Sequence, residues 1–217
     1  MPREDGAQRE EFLHHNMTLI GGISGIYAIT IRGGNFGAAQ TANLIGLILD
    51  VSSLDIFDFC LRILVLAVYS VSLVAAHLIT LYYPNHKRII CLIIESLCGL
   101  LAGSFPAEAN PLLALCPIFV LSAFQWQIFT EQKHYNSSTL FSTNNLKQAL
   151  MSWVNYRMYK ESGQRQKSYF FLRTLVTFHL GILIGLAATN LWDEKGIWLI
   201  FVPMINALLY EIKQGRW

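Results

Sequence analysis

Glu95 lies in the middle of an apolar run, residues 89–105, that contains no other charged residue. A carboxyl in such a setting has two uses. It carries a proton or a cation, or it stays neutral and hydrogen-bonded to a neighbouring helix, because an ionised group is costly in an apolar medium. Cys91, Glu95 and Cys98 recur at i, i+4 and i+7, so a helix places them on one face. A soft metal would find two thiolates and a carboxylate there; the alternative is that the cysteines are small packing residues. His77 and His179 sit deep in two other apolar runs, at comparable places in the two halves of the chain. Facing each other they would form a relay or a ligand pair; otherwise each is neutral and bonded to a carbonyl or hydroxyl.

Arg32 is followed by Gly33-Gly34-Asn35-Phe36-Gly37. Glycines so dense break a helix, and the backbone N–H groups of Ala38, Ala39 and Gln40 then open the next one. A cation beside a helix N-terminus is the chemistry of an anion site; the alternative is an arginine reaching for lipid headgroups. Gln40-Thr41-Ala42-Asn43-Leu44 recurs as Ser142-Thr143-Asn144-Asn145-Leu146, at a constant offset of 102. Thr41, Asn43, Thr143 and Asn145 either line a polar path or bond one helix to another. Phosphate-cradling loops, zinc-type spacings of His and Glu, and Gly-x-Ser-x-Gly elbows do not occur, so no cofactor is expected.

Long apolar helices must position these groups. Residues 63–83 run for 21 residues without Asp, Glu, Lys or Arg. At ~1.5 Å per residue that is about 30 Å, the thickness of a bilayer's hydrocarbon core. Further apolar runs cover residues 17–31, 89–105, 112–129, 174–192 and 196–210, with Tyr82, Tyr83, Trp126, Tyr169, Trp192, Trp198 and Tyr210 near their ends. Only 14% of residues are charged, against roughly 25% in soluble domains, and mean hydropathy is +0.41. The expectation is an all-α polytopic transmembrane bundle of six spans. Residues 1–16 read as an exposed tail, or an interfacial helix around Phe12 and Leu13, and residues 213–217 as a second tail. With six spans, thirteen Lys and Arg fall on the side of the two tails and three, Arg32, Arg62 and Lys195, on the other. That bias predicts both termini in the cytoplasm. It also explains the basic residues without nucleic acid. The sequon Asn136-Ser137-Ser138 falls on the predicted cytoplasmic side, where it has no use as one.

The breaks suggest a duplication. Each copy of the 102-offset motif follows the first span of a three-span group, after Gly33-Gly34 in one case and after the polar stretch 133–142 in the other. A three-span unit repeated once must insert its second copy upside down, giving inverted halves at residues 17–105 and 112–212 joined by the link 106–111. The first and fourth helices are then interrupted. Gly21-x-x-x-Gly25, Gly99-x-x-x-Gly103 and Gly181-x-x-x-Gly185 offer smooth faces for packing within the chain or against a second copy.

From Gly22 to Asn43 the chain resembles the YoaK-type family of bacterial membrane proteins, through Gly22, Gly33-Gly34, Phe36 and Thr41-x-Asn43 at their relative spacing. That family is defined only as a domain of unknown function. The resemblance implies a six-span protein of the bacterial inner membrane and brings no activity with it. This chain has Gly25 where the family commonly has Asp, and Ala42 where it commonly has Gly, so no carboxylate site carries over there. The reading is a transporter or channel-like protein in the lipid bilayer for a small polar or anionic solute or ion. Its candidate path is Glu95, His77, His179, Arg32, Gly33, Gly34, Gln40, Thr41, Asn43, Thr143 and Asn145. A membrane-embedded enzyme using Glu95 and the histidines, and a non-catalytic scaffold, are the alternatives.

Overall fold

The computed structural model describes residues 2–130 and 135–213, with side chains from Glu10 onward. The expected start of the second break at Lys133, and the tail after Lys213, lie outside the described residues. The described residues form α1 (Pro2–Ile31), α2 (Gln40–Ser53), α3 (Ile56–Tyr82), α4 (Lys87–Ser104), α5 (Pro111–Ala114), α6 (Cys116–Phe129), α7 (Ser142–Tyr159), α8 (Gln164–Trp192), a 3-10 stretch (Asp193–Ile200) and α9 (Phe201–Lys213). The fold class is all-α.

Among the described residues, three segments are long and apolar enough to cross a bilayer: Ile56–Tyr82, Pro111–Phe129 and the stretch Gln164–Lys213. Helix α4 does not qualify by composition, since its 18 residues include Lys87, Arg88 and Glu95. The surface supports the same reading. Val71 is 69% exposed, Ile48 66% and Leu183 62%, part of a wide aliphatic exterior that water would penalise and lipid would not. These features argue for a multi-pass membrane protein.

Several elements depart from the sequence reading. Helix α1 passes through Met17 without a break, and Leu13, His14 and Asn16 are buried rather than in an exposed tail. The second helix starts at Gln40, two residues beyond Ala38, and ends at Ser53. Residues 193–200 wind as a 3-10 stretch instead of an α-helix. Pro203 explains part of this, because it removes a donor and its ring crowds the carbonyl one turn back, at Leu199. Close packing supplies the rest: a Cβ on Gly196 would lie 2.7 Å from the backbone of Ala188 and Thr189 in α8.

Helix α6 is the hub, with most of its side chains buried. The packing partners exchange consistently between the halves. Helix α1 packs on α8 as α6 packs on α3; α2 packs on α3 as α7 packs on α8; α4 packs on α6 as the 3-10 stretch and α9 pack on α1. At the α1–α8 crossing, a Cβ on Gly181 would lie 2.6 Å from the Leu19 carbonyl and 3.1 Å from the Cα of Gly22. The small-residue faces of α1, α4 and α8 are thus filled within the chain. Charged clasps tie the helix ends: Arg88 bridges Glu10 at 2.5 Å and Glu211 at 3.2 Å, and Arg62 meets Asp50 at 2.5 Å.

Candidate functional site

The first break lies between α1 and α2. Gly33 (φ +67°) and Gly34 (φ +79°) take left-handed conformations that side chains resist, and the Gly34 N–H donates to the Ile29 carbonyl at 3.0 Å, closing the end of α1. Arg32 is 1% exposed. Its Nη1 donates to the Pro106 carbonyl at 3.0 Å, its Nη2 to the carbonyls of Phe105 at 2.9 Å and Ala102 at 3.5 Å, and its Nε to the Tyr27 hydroxyl at 3.1 Å. Tyr27 in turn donates to the Ala102 carbonyl at 2.7 Å. These carbonyls close the C-terminus of α4, where the helix dipole is negative, so the guanidinium acts as a buried cap. The neighbouring polar groups look to each other. Gln40 Nε2 donates to the Gly37 carbonyl at 3.4 Å and Asn43 Nδ2 to Gln40 Oε1 at 3.5 Å. Thr41 is exposed and Asn43 buried.

The second break precedes α7 and is lined by neutral polar side chains. Buried Asn145 donates from Nδ2 to the Ser138 carbonyl at 2.7 Å, which leaves its Oδ1 to accept from Ser137 Oγ at 3.1 Å. Ser137 has one proton, so His14 Nε2, 3.1 Å from the same Oγ, must be the donor there. Nε2 of His14 therefore carries a proton, as it does in the Nε2–H tautomer of the neutral imidazole. Its complete burial agrees, pulling its pKa from the ordinary 6.5 down to about 3, with neighbouring His15 adding to the effect. Gln125 Nε2 donates to the Met17 carbonyl at 2.7 Å and to Thr139 Oγ1 at 2.9 Å. These contacts fix the amide orientation and leave Gln125 Oε1 buried without a hydrogen-bond partner. Thr143 is exposed, like its counterpart Thr41.

Glu95 is fully buried on α4. The Cys91 thiol donates to Oε1 at 3.2 Å, and Oε2 has no partner. Cys98 lies beside the backbone of Leu121 on α6. The six-residue link 105–110 between α4 and α5 makes α4 and α6 antiparallel neighbours. In that register one turn back from Cys98 is Glu95 and one turn on from Leu121 is Gln125, so the two unpartnered oxygens fall at a similar depth. Cys91, Glu95 and Cys98 do share a buried face, but among the described residues no group of three His, Cys, Asp or Glu side chains is placed to hold a metal. The histidines are not brought together. His77 is exposed on α3, 3.3 Å from Gln127, and His179 is exposed on α8, donating from Nδ1 to the Leu175 carbonyl of its own helix at 2.8 Å.

Sequence reasoning missed His14, Gln125, Ser137, Ser138 and Thr139. One signal was present. The offset of 102 also pairs Gly37 with Thr139, and both press against the other half's first helix: a Cβ on Gly37 would lie 2.9 Å from Ile118 of α6, and the Thr139 carbonyl abuts Gly21 of α1.

The chain matches the family described as "Protein of unknown function (DUF1275)" over residues 13–210. It belongs to that family. The region of the resemblance, Gly22 to Asn43, lies inside the match. No curated protein and no solved structure matches the chain significantly.

Proposed function

We propose that this DUF1275 protein is a six-span transporter or channel-like protein of the bacterial inner membrane, with inverted halves and cytoplasmic termini, that passes a small polar solute between its two helix breaks. The exchange of packing partners between the halves supports the inverted arrangement, and the thirteen-to-three bias of Lys and Arg supports the orientation. The observation that carries the function is the pair of bare oxygens, Glu95 Oε2 and Gln125 Oε1, at similar depth on facing helices. A buried oxygen without a partner costs about 1–3 kcal/mol, so two of them in one apolar core favour a site that a visiting donor completes. Both are acceptors. The solute they suit brings N–H or O–H donors or a positive charge. An anion at Arg32 fits less well, since that guanidinium already serves four acceptors, three carbonyls and the Tyr27 hydroxyl.

The test is osmotic shrinkage and reswelling of liposomes containing the purified protein, read by light scattering with glycerol, urea and methylammonium chloride. At least one of these donors should enter at least tenfold faster than into protein-free liposomes. Glu95→Gln, which keeps the shape but replaces an acceptor by a donor, and Gln125→Met should slow that entry about tenfold while thermal midpoints stay within a few degrees of wild type. Entry equal to protein-free vesicles for all three solutes, or unchanged in both variants, sinks the proposal.

A further inference from the structure

The turn joining α7 to α8 carries a cluster that solute passage does not use. Between residues 142 and 167 there are five cations, Lys147, Arg157, Lys160, Arg165 and Lys167, and one acid, Glu161. Three of the cations lie over aromatic rings. Arg157 is 5.9 Å from the Trp153 centroid, Lys160 is 5.5 Å from that of Tyr156, and Arg165 is 6.0 Å from Tyr156 and 5.6 Å from Tyr169. Trp153 and Tyr169 are half exposed. Glu161 is engaged within the turn, accepting from Gln164 Nε2 at 2.9 Å.

Packing does not require this chemistry. Helix α2 occupies the corresponding place on α3, and its exposed large residues are the aliphatics Leu44, Ile45, Ile48, Leu49 and Val51. A guanidinium lying on a ring keeps its N–H edges pointing outward, where a phosphate accepts two of them at once. Tyr and Trp favour the level of the headgroups, and clustered Lys and Arg favour anionic lipid.

We propose that the α7–α8 turn binds the headgroup of an anionic phospholipid, with Arg157, Lys160 and Arg165 on the phosphate and Trp153 and Tyr169 at the edge of the acyl region. The ligand is the lipid rather than a soluble phosphate, because the exposed rings of Trp153 and Tyr169 need an apolar neighbour that a free anion lacks.

Thermal unfolding of the full protein in neutral detergent tests this, with phosphatidylglycerol, phosphatidylcholine or glycerol 3-phosphate added at equal concentration. Phosphatidylglycerol should raise the midpoint by several degrees and the other two should not. The triple variant Arg157→Gln, Lys160→Gln, Arg165→Gln should lose most of that shift. Arg165→Gln alone should need about ten times more lipid for the same shift. Raising the salt tenfold should remove it in the wild type, a readout independent of how well the variants fold. Equal shifts with phosphatidylcholine, or a full shift in the triple variant, overturn the proposal; a shift with glycerol 3-phosphate alone reassigns the site to a soluble phosphate.

Discussion

The two helix breaks occupy matching places in the sequence yet close their backbones with opposite chemistry. At the first, one arginine ties three carbonyls at the end of α4 and orients Tyr27 towards the same helix end. At the second, His14, Gln125, Ser137 and Asn145 share neutral hydrogen bonds, and one amide oxygen is left over. A buried charge bound to carbonyls is a rigid arrangement, since moving it would strip several charge-assisted bonds together. Neutral bonds of about 1 kcal/mol each rearrange at far lower cost. The first break is therefore an anchor and the second the one able to admit a guest. Along α1 they are separated by the ten residue steps from Gly21 to Ile31, about 15 Å of helix.

Removing the anchor should have the largest effect. Arg32→Ala removes four buried hydrogen bonds made by a charged group and leaves the Ala102 carbonyl only the Tyr27 hydroxyl, a loss of about 3–5 kcal/mol. For a chain of this length that corresponds to a fall of roughly 10 °C in thermal midpoint. Arg32→Lys keeps the charge but not the planar fork, and should recover only part of it. An alanine variant that unfolds within a degree or two of wild type would remove the distinction between the breaks.

The next test compares two glycines that receive the breaks or belong to them. A methyl at Gly21 runs into the Thr139 carbonyl, which is backbone, whereas a methyl at Gly37 meets the Ile118 side chain at 2.9 Å. A side chain gives way more easily than a backbone held by hydrogen bonds. Gly21→Ala should cost about 1–3 kcal/mol and Gly37→Ala less, in the range of mild overpacking. Gly21→Ala should also slow solute entry, because it displaces Thr139 and with it the Gln125 contact. The reverse order in thermal midpoints would mean that the Thr139 backbone moves aside more easily than the Ile118 side chain.

Much of the first break was legible before the structure and much of the second was not, for physical reasons. Glycines at 33 and 34 announce positive φ by their type, and a charge-free run such as residues 63–83 announces its length. The direction in which Arg32 points cannot be read, because its partners are backbone carbonyls, and every residue has one. His14 was hidden in a segment that also holds Glu10 and Glu11 and so resembled a solvated tail; the helix carries the acids to ion pairs with Arg88 and Arg173 while His14 faces inward. Ser137 and Ser138 looked like an idle sequon, since serines in a polar stretch usually face water. Glu95 was legible as a buried acid, but its neighbour in depth, Gln125, is neutral and gave no warning.

The smallest effect, and the one that probes the second break without disturbing its shape, concerns acid. Burial holds His14 neutral down to about pH 3 in the folded protein, while in the unfolded chain it takes up a proton near its ordinary value of 6.5. Between those limits the unfolded state binds more protons than the folded one, so stability rises with pH and is lost as pH falls below about 6.5. A single group of this kind contributes at most about 1.4 kcal/mol per pH unit, or about 2 kcal/mol between pH 6.5 and 5. His14→Gln places an amide N–H near the position of Nε2, keeps the bond to Ser137 and does not titrate. The variant should therefore show a shallower fall in thermal midpoint than wild type over that interval, with little difference between them at pH 8. The Arg32 cap contains no titrating partner over this range, so the Arg32→Lys variant should keep the wild-type slope. Parallel slopes for wild type and His14→Gln would mean that His14 is charged in the folded protein, and the second break would then lack the neutral tautomer on which its flexible character rests.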